Sequence, residues 1–446
     1  MTTDPGDALV IGGGLAGCEA AWQLAERGHR VTLVEMRPLR TTPAHRTDHL
    51  AELVCTNSFK SEDPANAHGL LKREMRALGS ILLQAAVHAR VPAGVALAVD
   101  REVFARTLTE TLSGHANIRI ERREITALPD RPAVIATGPL TSDALTASIV
   151  ALLGDHGLAF FDAIAPVVLA ESIDETKVFR ASRWGKGDGE DYINCPLSRE
   201  EYAAFISALR EADTYPGHDW EGVPYFEGCL PIEVMAERGE DTLRFGPMKP
   251  IGLMDPRTGR RPWAVVQLRH EDGAGQMWNL VGFQTRLRTG EQRRVFRMIP
   301  GLENAEFLRM GSIHRNTYLN FPARLLPYGA PHARPDFIVA GQLTGVEGYM
   351  ESAASGILAG INMSRILSGR EPVVPPPTTM LGALYRYLRD ARPESFQPMN
   401  SNFGLLEPLP DAPRDKSLRR QRLVELAERE FDAWLATVGM AAEASA

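Results

Sequence analysis

The first 35 residues alternate between apolar and polar stretches in the order that a strand, a helix and a second strand require. Ala8–Ile11 is a continuous apolar run, residues 15–27 carry apolar side chains at helical spacing, and residues 30–35 contain a second apolar run. Gly28 follows the helical stretch, and a glycine at this position commonly ends a helix. The pattern predicts a βαβ unit, which is the start of a parallel sheet.

Four later stretches carry equally clear signals. Residues 66–89 have helical spacing of apolar positions and are predicted to form a helix. The short apolar runs 134–138 and 337–341 each end in a glycine, so both are predicted to be buried parallel strands that lead into loops at a ligand-binding edge. The spacing of residues 418–438 predicts an amphipathic terminal helix.

The turn between the first strand and the first helix has the pattern of a dinucleotide-binding loop. Its sequence, Gly12-Gly13-Gly14-Leu15-Ala16-Gly17, fits G-x-G-x-x-G. Gly12 permits the tight turn, Gly14 lets the backbone approach a pyrophosphate, and Gly17 lets the helix pack closely on the strand. The helix N-terminus adds the positive end of its dipole. Glu35 ends the second strand 18 positions after Gly17, where a carboxylate accepts hydrogen bonds from ribose hydroxyls.

Related openings also bind NAD and S-adenosylmethionine, so further contacts have to identify the dinucleotide. Ala136-Thr137-Gly138 and Val339-Ala340-Gly341-Gln342-Leu343 each include the end of a predicted strand and resemble strand-end contacts of FAD proteins. Two returns of the chain to one sheet edge suit a long ligand. No second G-x-G-x-x-G follows a strand, so a dedicated nicotinamide domain is not expected. We predict one bound FAD, with NAD(P)H binding only transiently.

Between residues 171 and 310 the apolar runs become shorter and are separated by Pro and Gly. Runs such as 263–268 and 278–283 are predicted to be strands of a separate α+β domain. We therefore expect an α/β protein with a Rossmann-like FAD-binding domain formed by residues 1–170 and 311–446 and an inserted substrate domain at 171–310. The second part of the FAD-binding domain is expected to carry C-terminal helices after a Pro-rich linker.

The net charge of −7 over 446 residues disfavours a general nucleic-acid binder, so an RNA substrate would need a local basic patch. Two stretches supply clustered basic residues: Arg286, Arg288, Arg293, Arg294 and Arg297, and Arg414, Lys416, Arg419, Arg420 and Arg422. Charge spacing alone favours solvated helix faces for both stretches.

No segment reaches the roughly 18 consecutive apolar residues of a membrane span, and the first strand begins too close to Met1 for a signal peptide. This predicts a cytoplasmic protein without a membrane partner. The four cysteines are Cys18, Cys55, Cys195 and Cys229, and none belongs to a CxxC pair. Neither a metal site nor a disulfide framework is therefore expected.

Several motifs follow one another along nearly the whole chain. Besides the glycine turn with Cys18-Glu19-Ala20-Ala21, they are Glu35-Met36-Arg37-Pro38, Thr42-Pro43-Ala44-His45, Leu53-Val54-Cys55-Thr56-Asn57-Ser58, Asn194-Cys195-Pro196, Phe226-Glu227-Gly228-Cys229-Leu230-Pro231, Phe245-Gly246-Pro247-Met248-Lys249-Pro250 and Gly345-Val346-Glu347-Gly348-Tyr349. In this order the motifs resemble the folate- and FAD-dependent tRNA uracil-5-methyltransferase family, TrmFO. Thr56 and Phe59-Lys60 depart from the pattern of that family.

The resemblance implies methylation of a T-loop uridine in tRNA to 5-methyluridine. Methylenetetrahydrofolate is then the carbon donor, reduced FAD is the hydride source and carbon carrier, and NAD(P)H recharges the flavin; no obligatory protein partner is expected. The chemistry itself requires a reactive cysteine, because uracil C5 becomes a good nucleophile only after a thiolate adds at C6. It also requires a hydride to turn a transferred methylene into a methyl group.

Three cysteines are candidates for the nucleophile. The resemblance implies that Cys229 is the thiolate that adds to uracil and that Cys55 is a second active-site thiol near the flavin. Cys195, followed by Pro196, is similar to the Cys-Pro of other pyrimidine methyltransferases, and Cys18 is expected to be structural. The alternative for any of them is that of a small buried hydrophobic residue.

The remaining candidate residues are less specific. The resemblance places Arg37, Gln342, Gly345 and Tyr349 in the cofactor site with the glycine turn. The ring of Tyr349 could stack on the isoalloxazine or the pterin, or pack in the core. Arg101 and Lys249 could contact folate carboxylates or RNA phosphates.

Two other functions compete with this interpretation. One is a wobble-uridine tRNA-modifying flavoprotein that acts with a GTPase partner and has a long additional helical domain at its C-terminus. The roughly 75 residues after Pro372 are too few for such a domain beside the linker. The other is a plain flavin-dependent NAD(P)H oxidase or an FAD-bearing RNA-binding module.

Overall fold

The apolar runs form buried strands, and the amphipathic stretches form helices that cover them. A computed structural model describes residues 7–42, 44–154, 158–215, 230–411 and 413–438. Its strands are β1 Ala8–Ile11, β2 Val31–Glu35, β3 Ser58–Ser61, β4 Arg90–Val91, β5 Ala96–Val99, β6 Ile118–Arg122, β7 Ala133–Ile135, β8 Leu158–Ile164, β9 Val167–Leu169, β10 Phe179–Arg180, β11 Tyr192–Leu197, β12 Ala264–His270, β13 Met277–Leu280, β14 Phe307–Arg309, β15 Ser312–Tyr318 and β16 Phe337–Val339.

The helices of the same residues bring the two ends of the chain together. They are α1 Leu15–Glu26, α2 Ala67–Ala77, α3 Ile81–His88, α4 Arg101–Gly114, α5 Asp143–Leu153, α6 Arg199–Glu211, α7 Ile232–Glu237, α8 Thr242–Phe245, α9 Thr289–Phe296, α10 Phe321–Arg324, α11 Tyr349–Leu367, α12 Met380–Asp390 and α13 Lys416–Thr437. No helix in the described ranges is long and apolar enough to cross a bilayer.

A five-stranded parallel sheet forms the centre of the larger part of the molecule. Its strand order is β16-β7-β1-β2-β6, so β1 lies in the middle between β7 and β2. The strands β1, β2, β7 and β16 are buried along their whole length, as parallel strands covered on both faces must be. This sheet confirms the predicted α/β class and the Rossmann-like opening of the chain.

Helix α11 packs directly on α1, although the two helices are more than 300 residues apart in the sequence. Two glycines of α11 allow this approach. A Cβ on Gly356 would lie 2.2 Å from the Ala16 carbonyl oxygen, and one on Gly360 would lie 2.7 Å from that of Ala20. The C-terminal part of the chain therefore completes the domain that the N-terminal part begins.

The single helix predicted for residues 66–89 is wrong, because the structure has two helices there. Gly79 adopts a φ of +76° between α2 and α3, and this conformation interrupts helical hydrogen bonding. The Ser80 side chain then accepts a hydrogen bond from the Leu83 amide and begins α3. Continuous apolar spacing across the break hid the boundary from the sequence.

A second sheet lies between the two halves of the parallel domain in the sequence. Its strand order is β10-β11-β12-β13-β9-β14, and all its pairings are antiparallel. Together with α6, α7 and α9 it has its own buried core. The domain boundaries at 171 and 310 stay predictions, and β9 pairs in this sheet although it lies just before the first of them.

Candidate dinucleotide and cysteine site

A cleft opens where β1, β2, β7 and β16 end. Its empty volume, including the open mouth, is about 820 Å³. Twelve of the predicted cofactor residues line it, namely Gly12, Gly13, Gly14, Leu15, Ala16, Glu35, Arg37, Thr137, Gly138, Gly341, Gln342 and Tyr349. The folded chain therefore brings together three regions that the sequence keeps far apart.

Gly12, Gly14 and Gly17 of the turn differ in what surrounds the position of a Cβ. Gly12 has a φ of +105°, and a Cβ there would lie 2.4 Å from the Ala136 carbonyl oxygen. Gly17 packs behind the cleft, where a Cβ would lie 1.8 Å from the Gly12 carbonyl oxygen. At Gly14, by contrast, no protein atom lies within 4 Å of the position of a Cβ. The fold explains Gly12 and Gly17, whereas the space beside Gly14 is open to the cleft and leaves room for a ligand.

The first turn of α1 faces the same cleft. Its N-cap is Gly14, no side chain caps the turn, and no acidic residue lies in it. The amide groups and the positive end of the helix dipole are therefore left without a compensating negative group from the cap or the first turn. An uncapped helix N-terminus beside open space suits a phosphate, so the residues present fit a dinucleotide.

Glu35 is held at the end of β2 as a buried carboxylate. It accepts hydrogen bonds from the Gly13 amide at 2.8 Å and from the Arg37 amide at 2.9 Å, and it pairs with the Arg37 guanidinium at 3.0 Å. Burial would raise the pKa of Glu35, but the charge of Arg37 and these hydrogen bonds hold the pKa below its ordinary value. Arg37 also pairs with Glu52 at 3.0 Å, so its guanidinium is fixed between two carboxylates.

The loop after β16 contributes the opposite side of the cleft. The Gly341 amide donates to the Ser355 hydroxyl at 2.7 Å, and Gln342 donates to Glu347 at 2.6 Å. Gly345 does not line the cleft. It adopts a φ of +87°, and a Cβ there would lie 2.5 Å from the Phe396 ring. Its role in the described structure is a tight turn against the core.

Tyr349 joins the cleft to the loop that carries Cys55. Its hydroxyl accepts hydrogen bonds from the backbone amides of Cys55 at 2.7 Å and Thr56 at 3.1 Å. Its ring packs edge-on against Phe59, with the ring centroids 6.0 Å apart. Burial, followed by the nearby thiol of Cys55, raises the pKa of Tyr349 above its ordinary value, so the hydroxyl stays protonated.

Replacement of Tyr349 by Phe would leave these two amides without their acceptor. We expect Tyr349→Phe to lower the free energy of unfolding by about 1–3 kcal/mol, the cost of an unsatisfied buried group. If the Cys55 loop moves as a result, any reaction in the cleft slows by at least about tenfold. Urea denaturation and a turnover assay measure the two effects.

Tyr385 provides the matched control, because its buried hydroxyl has no partner among the described residues. Tyr385→Phe is expected to change stability by less than about 0.5 kcal/mol. Equal effects of the two substitutions would contradict the positioning role of the Tyr349 hydroxyl.

Three arginines lie around the Cys55 loop, of which Arg269 is buried and Arg101 and Arg309 are partly exposed. Arg101 donates to the carbonyl oxygens of Leu53 at 2.7 Å and Cys55 at 3.1 Å. Arg269 reaches over from β12 and donates to the Asn57 side chain at 3.1 Å and to the Thr56 hydroxyl at 2.8 Å. Arg101 thus makes its hydrogen bonds within the protein, and its contact with folate or RNA stays a prediction.

The third arginine, Arg309 on β14, shares the carboxylate of Glu271 with Arg101, at 3.2 Å and 2.6 Å respectively. Burial, followed by the charge of Arg101, lowers the pKa of Arg309 to about 10. Burial also lowers the pKa of Arg269. Glu271 balances only one of the three guanidinium charges of Arg101, Arg269 and Arg309. The surroundings of Cys55 are therefore positively charged, which favours anionic groups.

The cysteines differ in their surroundings. Cys18 and Cys195 are fully buried, and burial raises the pKa of both thiols far above the ordinary value. Neither environment produces a reactive thiolate. Cys55 is partly accessible and lies outside any disulfide. Cys229 lies outside the described residues, so its predicted role is neither supported nor opposed by the structure.

Sequence reasoning missed Arg269, Arg309, Glu271 and Glu52, which position the site. Each is an ordinary charged residue in a strand or loop, and no local motif marks it. Arg269 and Glu271 do lie at and just after the end of β12, where two charges in an otherwise apolar run are unusual. Two charged residues at the end of this apolar run are the signal from which Arg269 and Glu271 could have been identified.

The parallel sheet, the uncapped helix and the acidic strand end define an α/β dinucleotide-binding protein with an inserted antiparallel sheet. A model of the family described as GIDA, glucose inhibited division protein A, matches residues 7–371. The chain belongs to this family, and within it to the TrmFO proteins, as its similarity to individual members shows.

Two curated relatives carry the name methylenetetrahydrofolate–tRNA-(uracil-5-)-methyltransferase TrmFO. The protein from Geobacter sulfurreducens is 58% identical over 434 residues, covering 97% of this chain and 100% of the relative. The one from Rhodospirillum rubrum is 56% identical, covering 96% and 92%. Among solved structures, GidA from Aquifex aeolicus is similar with a TM-score of 0.69 and 18% identity, covering 99% of this chain and 77% of that one. That similarity concerns the fold.

Proposed function

We propose that this chain methylates C5 of a T-loop uridine in tRNA to 5-methyluridine, with methylenetetrahydrofolate as the carbon donor. The observation that carries the proposal is the identity of 58% over the full length of a relative with that name. The cleft supports it independently, because it has the glycine turn, helix N-terminus and acidic strand end of a dinucleotide site. NAD(P)H is proposed as the reductant.

FAD is the proposed cofactor of the cleft. Residues 12–17 would hold its pyrophosphate, Glu35 would accept the ribose hydroxyls, and the loops at Thr137–Gly138 and Gly341–Gln342 would contact the rest. When bound and reduced, FAD supplies the hydride that completes a methyl group. Tyr349 lies at the same cleft and fixes the Cys55 loop beside it.

Cys229 is proposed as the nucleophile that activates the base. Its thiolate forms a bond to uracil C6, and the electrons of the C5–C6 double bond move to C5 as an enolate. C5 then bonds to the methylene carbon of the one-carbon donor. Loss of the C5 proton and departure of the donor nitrogen from that carbon leave an exocyclic methylene on C5, while the cysteine stays bonded to C6. Hydride addition to the exocyclic carbon gives the methyl group, and departure of the thiolate from C6 restores the ring and the free cysteine.

Cys55 is proposed as the second thiol of the site. Its amide is held by Tyr349 and its carbonyl oxygen by Arg101. The surrounding arginines favour a negatively charged substrate group at this place. A thiol so placed can accept or return a proton beside the cleft.

The two competing functions have less support. Relatives that match nearly the whole chain at 58% and 56% identity carry the name of the methyltransferase and not that of a wobble-modifying enzyme. The plain oxidase leaves unexplained why identity to the methyltransferases extends over nearly the whole chain. A cytoplasmic location is proposed because tRNA and unpaired thiols both belong there.

The test is a defined reaction with the purified chain, FAD, methylenetetrahydrofolate, NADH or NADPH and an unmodified tRNA transcript, with no GTPase. Nucleoside mass spectrometry is expected to find 5-methyluridine, and to find none when the folate is omitted. A transcript with cytidine in place of the T-loop uridine is the matched control. Steady oxidation of the nicotinamide without methylated nucleoside would favour the oxidase and overturn the proposal.

A further inference from the structure

Two exposed aromatic side chains lie on neighbouring segments of the antiparallel domain. Trp184 is 70% exposed and Phe245 is 73% exposed. The Trp184 amide donates to the Gly252 carbonyl oxygen at 3.0 Å, and its indole packs on Gly252. Ile251 and Met254, on either side of that contact, are also exposed. A cluster of exposed apolar side chains in one place marks an interaction surface.

The backbone conformation at Trp184 indicates that the fold holds the indole ring in an exposed position. Its φ is +62°, in the left-handed region that bulky residues rarely adopt. Arg183 secures the turn by donating to the Gln267 side chain at 2.8 Å and to the Ile251 carbonyl oxygen at 2.7 Å. The fold therefore holds a strained turn that places an indole in solvent.

Basic side chains accompany the aromatic ones. The Arg244 guanidinium lies 3.7 Å from the centroid of the Trp263 ring, and Arg199 lies 5.3 Å from the same ring. Arg244 also lies 3.6 Å from Asp241, which matches part of its charge. Lys249 is exposed, and no carboxylate of the described ranges forms an ion pair with it. Basic groups interleaved with aromatic rings are what unpaired nucleotides require.

The buried strand β12 connects the segments beneath this surface to the Cys55 loop. Alternate residues of a strand face the same side, so Arg269, Gln267 and Val265 follow one another on one face, with Trp263 just before the strand. Arg269 contacts Thr56, Gln267 contacts Arg183, and Val265 donates its amide to Met248. The six steps from Arg269 to Trp263 span roughly 20 Å.

The clustered arginines of α9 do not offer an equal surface. Arg294 pairs with Glu291 at a distance of 2.5 Å, Arg286 lies 3.6 Å from Glu233, and Arg297 donates to the Ala305 carbonyl oxygen. Their charge is largely matched within the protein. Arg293 on the same helix is exposed and makes no such pair among the described residues, which makes it a suitable control.

We propose that the exposed surface at Trp184, Phe245 and Lys249 binds the single-stranded loop of the RNA substrate. Unpaired bases stack on Trp184 and Phe245, and Lys249 contacts a phosphate. Recognition of RNA loops by splayed bases on aromatic rings is the common mode for unpaired RNA. The inference rests on the proposed function and adds to it the surface that holds the loop.

The test measures binding and turnover separately. The dissociation constant of an unmodified tRNA transcript is measured by filter binding between 50 and 200 mM salt, and methylation is measured at saturating tRNA. Trp184→Ala is expected to weaken binding about tenfold, Trp184→Phe to retain it within about threefold, and Lys249→Ala to reduce the slope of log affinity against log salt by about one. Turnover at saturating tRNA stays unchanged.

Arg293→Ala and Leu367→Ala are the matched controls for charge and for an exposed apolar side chain, and both are expected to bind RNA as the unchanged protein does. Unchanged affinity in Trp184→Ala and Lys249→Ala would overturn the inference, as would a loss of self-association in Trp184→Ala without a change in RNA affinity. Binding is measured without methylation, so failure of the proposed function alone would appear as normal RNA affinity without 5-methyluridine.

Discussion

Cys229→Ala is expected to lower the methylation rate by at least about a thousandfold, because removal of a nucleophile removes the covalent step entirely. The protein should still bind FAD and stay yellow, since the cleft is built from other residues. Denaturing gel electrophoresis with labelled 5-fluorouridine-containing tRNA measures the covalent adduct, which the unchanged protein should form and the variant should lack.

Cys195→Ala is the control for this experiment. Its thiol is fully buried and has a raised pKa, so its loss should leave a small cavity that costs about 1 kcal/mol of stability while adduct formation persists. An adduct that survives in Cys229→Ala and disappears in Cys195→Ala would reverse the assignment of the nucleophile.

Gly14→Asp should separate ligand binding from folding more cleanly than any other change in the glycine turn. Gly14 has an extended backbone and open space at its Cβ position, so the protein accommodates the side chain. An aspartate at the N-cap also stabilises the helix. Beside a phosphate, however, its charge repels by about 4 kcal/mol at 4 Å and an effective dielectric constant of 20. FAD affinity should therefore fall at least about 100-fold with no loss of stability in the apoprotein.

Gly290→Asp introduces the same side chain in the first turn of α9, again with no protein atom within 4 Å of the Cβ position. It should leave FAD affinity unchanged. Flavin fluorescence titration of both variants, with thermal unfolding of the apoproteins, makes the comparison. If Gly14→Asp binds FAD normally, the pyrophosphate does not lie at the start of α1.

The features that depend only on residues close together in the sequence were predictable. The glycine turn and Glu35 belong to one βαβ unit, whose strand, turn and helix follow from local periodicity and from glycine conformations. The break at Gly79 was missed because apolar spacing continues through it, and only the positive φ and the Ser80 cap separate the two helices.

The surroundings of Cys55 could not be predicted in this way. Tyr349 reaches the Cys55 amide from 294 positions away, and Arg269 reaches the Thr56 hydroxyl from 213 positions away. Such contacts depend on how the two sheets come together, and nothing in the residues next to Cys55 encodes that arrangement. The resemblance to a family indicated that Cys55 matters without indicating what holds it.

Asn57 ties β5 to β12 of the inserted sheet at this point. Its side-chain amide donates both to the Val99 carbonyl oxygen at 3.0 Å and to the His270 carbonyl oxygen at 2.7 Å, while its own oxygen accepts from Arg269. The inserted sheet thus packs against the Cys55 loop in addition to having a buried core of its own. A shortened chain without that sheet would therefore keep the glycine turn but lose the contacts that shape the Cys55 loop.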